Sequence, residues 1–369
     1  MAAHGTYTPT KVIEEAKLDI LAQTQEDDNA KWRRQVSRSF LSPTAEMYVY
    51  AVRASLGDDV YDEPCTKLLE QHMAKLTGKE ALSCSPDTPK QPPYSVLCDH
   101  RAHIASWWTA FHSGAQLDYV IPLTGISHLD DIKEHVVLGS DITGTCPTAI
   151  IELENTLNGT IIPQQDVIEI SEFAHANDII MHLDGARIWH VAAETGTPLL
   201  CFSKGLGMST SVLLWFRKLF GGGMRQTGFM SASAAYALTH HFPLLPGVHA
   251  LTRKLEKGLE EIGVRITSRA ETCMVFYDPS PIGVSYAEII DRASKLPEPI
   301  KLGGSRLVVH IQTAEDTVDD FLAVIRKLAQ EKKDAGFVYS EQQQKANGVG
   351  RSSIYVKVKA SDLEKVQHQ

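Results

Sequence analysis

Two residues twenty positions apart frame the chemistry open to this sequence: Asp184, in His182-Leu183-Asp184-Gly185-Ala186-Arg187, and Lys204, in Ser203-Lys204-Gly205-Leu206-Gly207. A lysine amine condenses with an aldehyde once burial or a neighbouring cation lowers its pKa. A carboxylate can pair with a protonated ring nitrogen and keep that ring an electron sink. In an open α/β sheet, ligands lie beyond the carboxyl ends of the strands. Ile179–Asp184 is an apolar run ending in an acid and reads as a buried strand. A crossover between parallel strands takes a dozen or more residues. The spacing therefore predicts a helix over Ala186–Glu194, a turn at Thr195–Pro198 and a strand over Leu199–Ser203, with Lys204 at the same sheet edge as Asp184. Each residue alone has an ordinary reading, an Asp-Gly turn or a solvated lysine. The pairing is what points to a site.

Other residues complete the pattern. Arg187 stands three positions after Asp184, where its guanidinium could hold a carboxylate bidentately. Arg306 enters a later strand and could supply a second clamp. Gly221-Gly222-Gly223-Met224-Arg225-Gln226 is a glycine-rich loop before a helix, with backbone amides and Arg225 suited to a phosphate. His103 follows the strand Ser95–Asp99 and could stack on a flat ring. An aldehyde for the lysine, a ring nitrogen for the acid and a phosphate for the glycine loop together describe pyridoxal 5′-phosphate. The arginines then describe a small substrate carrying a carboxylate.

The elements that must position these residues alternate. Strands are expected at Ser95–Asp99, Ala149–Glu154 and Ile179–Asp184, with a helix at Asp166–Ala176. Strand and helix in alternation imply a mostly parallel sheet, hence a large α/β domain. A helix over Thr66–Thr77 is expected to bury Leu68, Leu69, Met73 and Leu76. After Pro246 the pattern changes to a long helix from about Val248 to Ile262 and short strands near Val264–Thr267, Met274–Tyr277 and Arg306–Ile311. An amphipathic helix over Thr317–Glu331 follows, giving a smaller C-terminal α+β domain. The expected organisation is an N-terminal arm (1–36), a large domain (37–246), a small domain (247–333) and a polar, unstructured tail (334–369), with a short strand possible at Ser353–Val358.

Composition sets outer limits. The 369 residues are 43% hydrophobic, enough for a real core, and the formal net charge of −9 argues against a nucleic-acid partner. No apolar run reaches the length of a membrane helix, and the N-terminus lacks a signal-peptide layout, so the expected location is cytoplasmic. Six cysteines show no Cys-x-x-Cys pair and read as reduced thiols. His100 and His103 have metal-ligand spacing, but no third ligand stands nearby, so no metal is expected.

Together these motifs resemble the threonine aldolase family of pyridoxal-phosphate enzymes with the aspartate-aminotransferase-like fold. The resemblance rests on His182–Arg187, on Leu200-Cys201-Phe202-Ser203-Lys204-Gly205-Leu206-Gly207 and on Gly221–Gly228. Gly57-Asp58-Asp59-Val60-Tyr61, Leu153-Glu154-Asn155-Thr156 and Arg306-Leu307-Val308 also fit, and the similarity runs from about Ser37 to Leu328. It implies a large PLP-dependent transferase-like domain, a carbon–carbon lyase activity and retro-aldol cleavage of a β-hydroxy-α-amino acid such as L-threonine to glycine and an aldehyde. It also implies roles. Lys204 would hold the cofactor, Asp184 pair with the pyridinium, His103 stack on the ring and Arg225 lie near the phosphate. Arg187 and Arg306 would bind the substrate carboxylate, with Ser39 helping. A homodimer or homotetramer with shared sites is implied as well.

The sequence departs from the family's pattern at defined places. Gly78-Lys79-Glu80-Ala81 is followed by Leu82–Lys90, without the Gly-Thr pair that usually cradles the phosphate. The spans from Asp184 to Lys204 and from Lys204 to Arg225 are each shorter by roughly ten residues, about one crossover's worth. Leu157 stands where the family has a substrate-facing histidine. Clean gaps between intact motifs are also what lost coding segments would leave. Beside the aldolase, two alternatives stay open at this point: an alanine racemase on the same scaffold, and a catalytically impaired paralogue.

Overall fold

The computed structural model describes residues 8–18, 64–78, 95–99, 116–120, 128–139, 147–202, 228–339 and 356–358. The chain divides into two compact units. The first holds the described residues up to Pro243 except Asn158–Thr160; the second holds Asn158–Thr160 and the described residues from Leu244 on.

The first unit is built on a parallel sheet of β1 (Ser95–Asp99), β2 (Gln116–Val120), β3 (Thr148–Glu154) and β4 (Ile180–Asp184), in the order β2-β1-β3-β4. Its described α-helices are α1 (Pro9–Ala16), α2 (Pro64–Thr77), α3 (Leu129–His135), α4 (Gln164–Ala176), α5 (Ile188–Thr195), α6 (Leu199–Phe202) and α7 (Gly228–Tyr236). Helix α4 is the crossover between β3 and β4. It buries Val167, Ile170 and Ala174, one stripe at helical spacing. That stripe packs with Ile132 of α3 on Ile151 and Leu153 of β3 and Met181 of β4.

Helix α1 is more than a solvated arm. Thr8 caps it, and it buries Val12, Ile13 and Ala16. Its start lies against Gly196, the αL residue ending α5, where a Cβ would meet the backbone of Thr8 and Pro9. The Ala16 carbonyl lies 3.1 Å from His72 Nε2 of α2. Thr66 and Ser231 join α2 to α7 through a buried hydroxyl pair at 3.0 Å.

The second unit holds an antiparallel sheet, β5 (Arg265–Ser268), β6 (Met274–Asp278) and β7 (Arg306–Val308), with β6 central. Helices α8 (Leu245–Ile262), α9 (Tyr286–Ser294) and α10 (Glu315–Asp334) share a core with it. Leu255, Leu259, Val275, Phe276, Leu307, Phe321 and Ile325 are fully buried there. Gly258 lets α8 approach the Leu322 side chain of α10 closely. A reciprocal Ser285–Glu288 capping box starts α9, and α10 carries acids in its first turn and lysines in its last, as the helix dipole favours.

Several expectations need correction. Leu199–Ser203 is not a strand: Leu199–Phe202 is one turn of helix, opened by a Cys201 N–H bond to the Pro198 carbonyl at 2.9 Å. Four apolar residues are too few for periodicity to separate strand from helix, and the proline before them favours a helix start. β4 is not buried throughout, because it is the outer member of the described strand order and Ile180 is 57% exposed. In α2, Leu69 is buried but Leu68 is 51% exposed, since neighbours on a helix point about 100° apart and cannot share a face. β7 stops at Val308 because His310 and Thr313 close a turn, His310 N–H donating to Thr313 Oγ1 at 3.0 Å.

The tail is not wholly unstructured. Val356–Val358 lies antiparallel to Gly303–Ser305: Ser305 N–H donates to the Val356 carbonyl at 2.9 Å and Val358 N–H to the Gly303 carbonyl at 3.3 Å. Gly304 has φ 143°, and a Cβ there would land on the Val356 carbonyl oxygen. Gly304→Ala is therefore expected to destabilise the protein by about 1–3 kcal/mol. Thermal denaturation reads this as a fall of roughly 2–4 °C per kcal/mol.

Candidate functional site

The alternation of β3 and β4 builds the site. In β3, Ile151-Glu152-Leu153-Glu154 alternates apolar and acidic residues, and His182-Leu183-Asp184 does the same in β4. Successive side chains in a strand point to opposite faces. Register pairs Glu152 with His182 and Glu154 with Asp184. Ile151, Leu153, Met181 and Leu183 thus share the face covered by α3 and α4, while the two glutamates, His182 and Asp184 share the other.

The polar face is held by specific contacts. Glu152 is 1% exposed, and its Oε1 lies 3.4 Å from His182 Nδ1. Asp184, half-buried at the carboxyl end of β4, accepts from the Ala186 N–H through Oδ1 at 3.0 Å. This Asx-type turn fixes the plane of its carboxylate. The Asp184 carbonyl accepts from the Asn155 N–H at 3.0 Å, so the ends of β3 and β4 stay paired. Arg187 is the residue before α5 and turns back to β3, placing Nη1 3.7 Å from Glu154 Oε1. Behind it, Trp189 of α5 stacks edge-on to Phe242 at 5.1 Å between ring centroids.

The chain leaving β3 is equally fixed. Asn155 is fully buried and brackets Ile162, accepting from its N–H at 3.3 Å and donating to its carbonyl at 3.5 Å. Leu157 is buried at 1% exposure. Gln164, at the start of α4, donates through Nε2 to the Cys201 carbonyl of α6 at 3.1 Å.

Of the residues singled out by sequence, the structure brings Asp184 and Arg187 together at the carboxyl edge of the parallel sheet. Arg306 opens β7 in the second unit, half-buried and in register with Phe276. Lys204, His103, Arg225 and Ser39 lie outside the described residues, as do His100 and the glycine loop Gly221–Gly223. With Leu199–Phe202 helical, the crossover-strand argument for the position of Lys204 no longer applies. Sequence reasoning gave Glu154 and the Glu152–His182 pair no role; the signal was the acid–apolar alternation itself. Among the described residues no group of three His, Cys, Asp or Glu could hold a metal, and no helix is long and apolar enough to cross a membrane. Asn155→Ala would leave the buried Ile162 N–H without its acceptor. We expect it to cost about 1–3 kcal/mol, measured by denaturant unfolding of the cofactor-free protein.

A family model described as β-eliminating lyase matches residues 36–280. A probable low-specificity L-threonine aldolase of Schizosaccharomyces pombe is 33% identical, covering 80% of this chain and 87% of that protein. A low specificity L-threonine aldolase of Saccharomyces cerevisiae is 34% identical, covering 77% and 83%. Among solved structures, a Leishmania major threonine aldolase superposes with a TM-score of 0.60 at 15% identity, over 79% of this chain and 99% of that one. The fold is thus that of the PLP-dependent aspartate-aminotransferase-like enzymes. With the acid–arginine edge of the parallel sheet, these matches place the chain in one group: it belongs to the threonine aldolase family of β-eliminating lyases, whose cofactor is pyridoxal phosphate.

Proposed function

We propose that this protein is a pyridoxal-phosphate-dependent carbon–carbon lyase that cleaves L-threonine or a related β-hydroxy-α-amino acid to glycine and an aldehyde. The observation that carries this reading is the carboxyl edge of β3 and β4, where Asp184 and Arg187 stand together in a chain of the aldolase family. The donor set suits the cofactor. Asp184 offers a carboxylate with one oxygen already oriented by the Ala186 N–H, so it need not reorganise to accept from a protonated ring nitrogen. When bound, the cofactor supplies the electron sink for the pair left when the Cα–Cβ bond breaks.

The chain's own residues bind and orient. By the family resemblance Lys204 would hold the cofactor's aldehyde carbon, His103 would stack on its ring and Arg225 would lie near its phosphate. Arg187, Arg306 and Ser39 would bind the substrate carboxylate. With the carboxylate fixed, the substrate's rotation about Cα would be restricted before the Cα–Cβ bond breaks. The β-hydroxyl loses its proton as the aldehyde leaves, and Cα gains a proton to become glycine. A homodimeric or homotetrameric state and a cytoplasmic location belong to the same reading, and light scattering of the purified protein tests the first.

The purified protein with added pyridoxal phosphate should show the visible absorbance band of a lysine-bound cofactor, and Lys204→Ala should lose both band and activity. L-Threonine should yield glycine and acetaldehyde in equal amounts. Interconversion of D- and L-alanine without aldehyde release would replace this reading by racemisation. Absence of the band at saturating cofactor would overturn it. Asp184→Asn removes a charge-assisted hydrogen bond of about 1.5–3 kcal/mol, and spectrophotometric titration should show cofactor affinity falling roughly 10- to 100-fold.

A further inference from the structure

We propose that Glu154 is a positioning residue for Arg187, holding one edge of its guanidinium on the sheet so that the other donors face the substrate carboxylate. This rests on the reading that Arg187 binds that carboxylate. Arg187 is the residue just before α5, on a turn, and an arginine side chain has several rotatable bonds. Glu154 differs. It is the last residue of β3, opposite Asp184 in the register, with the next N–H, that of Asn155, bonded to the Asp184 carbonyl. Its side chain is only 16% exposed, against 34% for Arg187, and the two approach at 3.7 Å. The better-fixed member is thus the glutamate, and it sits one strand away from the acid proposed for the ring nitrogen. Among the described residues Arg187 has no other acidic partner within ion-pair distance.

Stability alone does not account for the pair, since half-exposed ion pairs contribute little. Orientation does. A guanidinium presents five donors in a rigid planar fork, so a carboxylate attracting Nη1 biases the plane of the fork and leaves the remaining donors for a second anion. Pre-orienting the fork means that less rotamer freedom is lost when an amino acid binds. The juxtaposition follows from strand register and does not depend on the residues around Lys204.

The test is a double-mutant cycle on the holoenzyme with Glu154→Ala and Arg187→Gln, reading steady-state kinetics with L-threonine and calorimetric affinity for glycine. Glu154→Ala should raise KM for L-threonine and weaken glycine binding roughly 5- to 20-fold, with kcat changed less than about twofold. Glu154→Gln, which keeps an acceptor, should fall in between. In the Arg187→Gln background Glu154→Ala should cost no further glycine affinity, because its effect on the substrate carboxylate runs through that arginine. Glycinamide, which lacks the carboxylate, should bind all variants alike. Equal losses for glycine and glycinamide, equal losses in both backgrounds, or no loss at all would each overturn the positioning role. The underlying reading fails separately, if Arg187→Gln by itself leaves glycine affinity intact. The glycine arm gives its answer whether or not the wild type turns over L-threonine.

Discussion

The packing of α4 on one face of β3 and β4 is the interaction on which the candidate site depends. Val167, Ile170 and Ala174 cover Ile151, Leu153 and Met181, and the burial of that apolar surface, at roughly 25 cal/mol per Å², decides which face of each strand turns inward. Everything polar in these strands is then committed to the other face. Glu152, Glu154, His182 and Asp184 line up there because of where the apolar residues go. The turn after β4 closes the arrangement by bringing Arg187 back over Glu154.

The fold was legible in the sequence wherever periodicity was long enough to decide. Strands β1, β3 and β4, the crossover helix α4 and the long helices α8 and α10 were read within a few residues of their ends, while the short β2 and α3 were not read. The failures were short. Leu199–Phe202 offers four apolar residues and no period, so a helical turn and a strand look alike until Pro198 is weighed. Leu68 and Leu69 are equally apolar, and only the rotation between neighbours separates them. Val356–Val358 finds its partner at Gly303–Ser305, a long-range pairing announced by nothing local, with Gly304 its only trace in composition.

The candidate site was legible to a different degree. Asp184 and Arg187 were picked out by chemistry and spacing, and the structure sets both at the sheet's carboxyl edge. Glu154 stood inside a motif that fitted the family, yet motif matching assigned it nothing. Its relation to Arg187 is a matter of register between two strands separated by a helix, and register is invisible to a linear reading. Arg306 was expected to enter a strand and does so as the first residue of β7.

The acid–apolar alternation of β3 also sets what kinds of change this region can absorb over time. Ile151 and Leu153 face α3 and α4 and can exchange among aliphatic residues of similar volume at small cost. Length is another matter. One residue gained or lost between Ile150 and Ile151 would shift the residues that follow by one place, carrying Glu152 and Glu154 into the apolar layer and turning Ile151 and Leu153 towards the site. The strand is therefore tolerant of substitution on its apolar face and intolerant of insertion or deletion over Ile150–Glu154, where it pairs in unbroken register with β4.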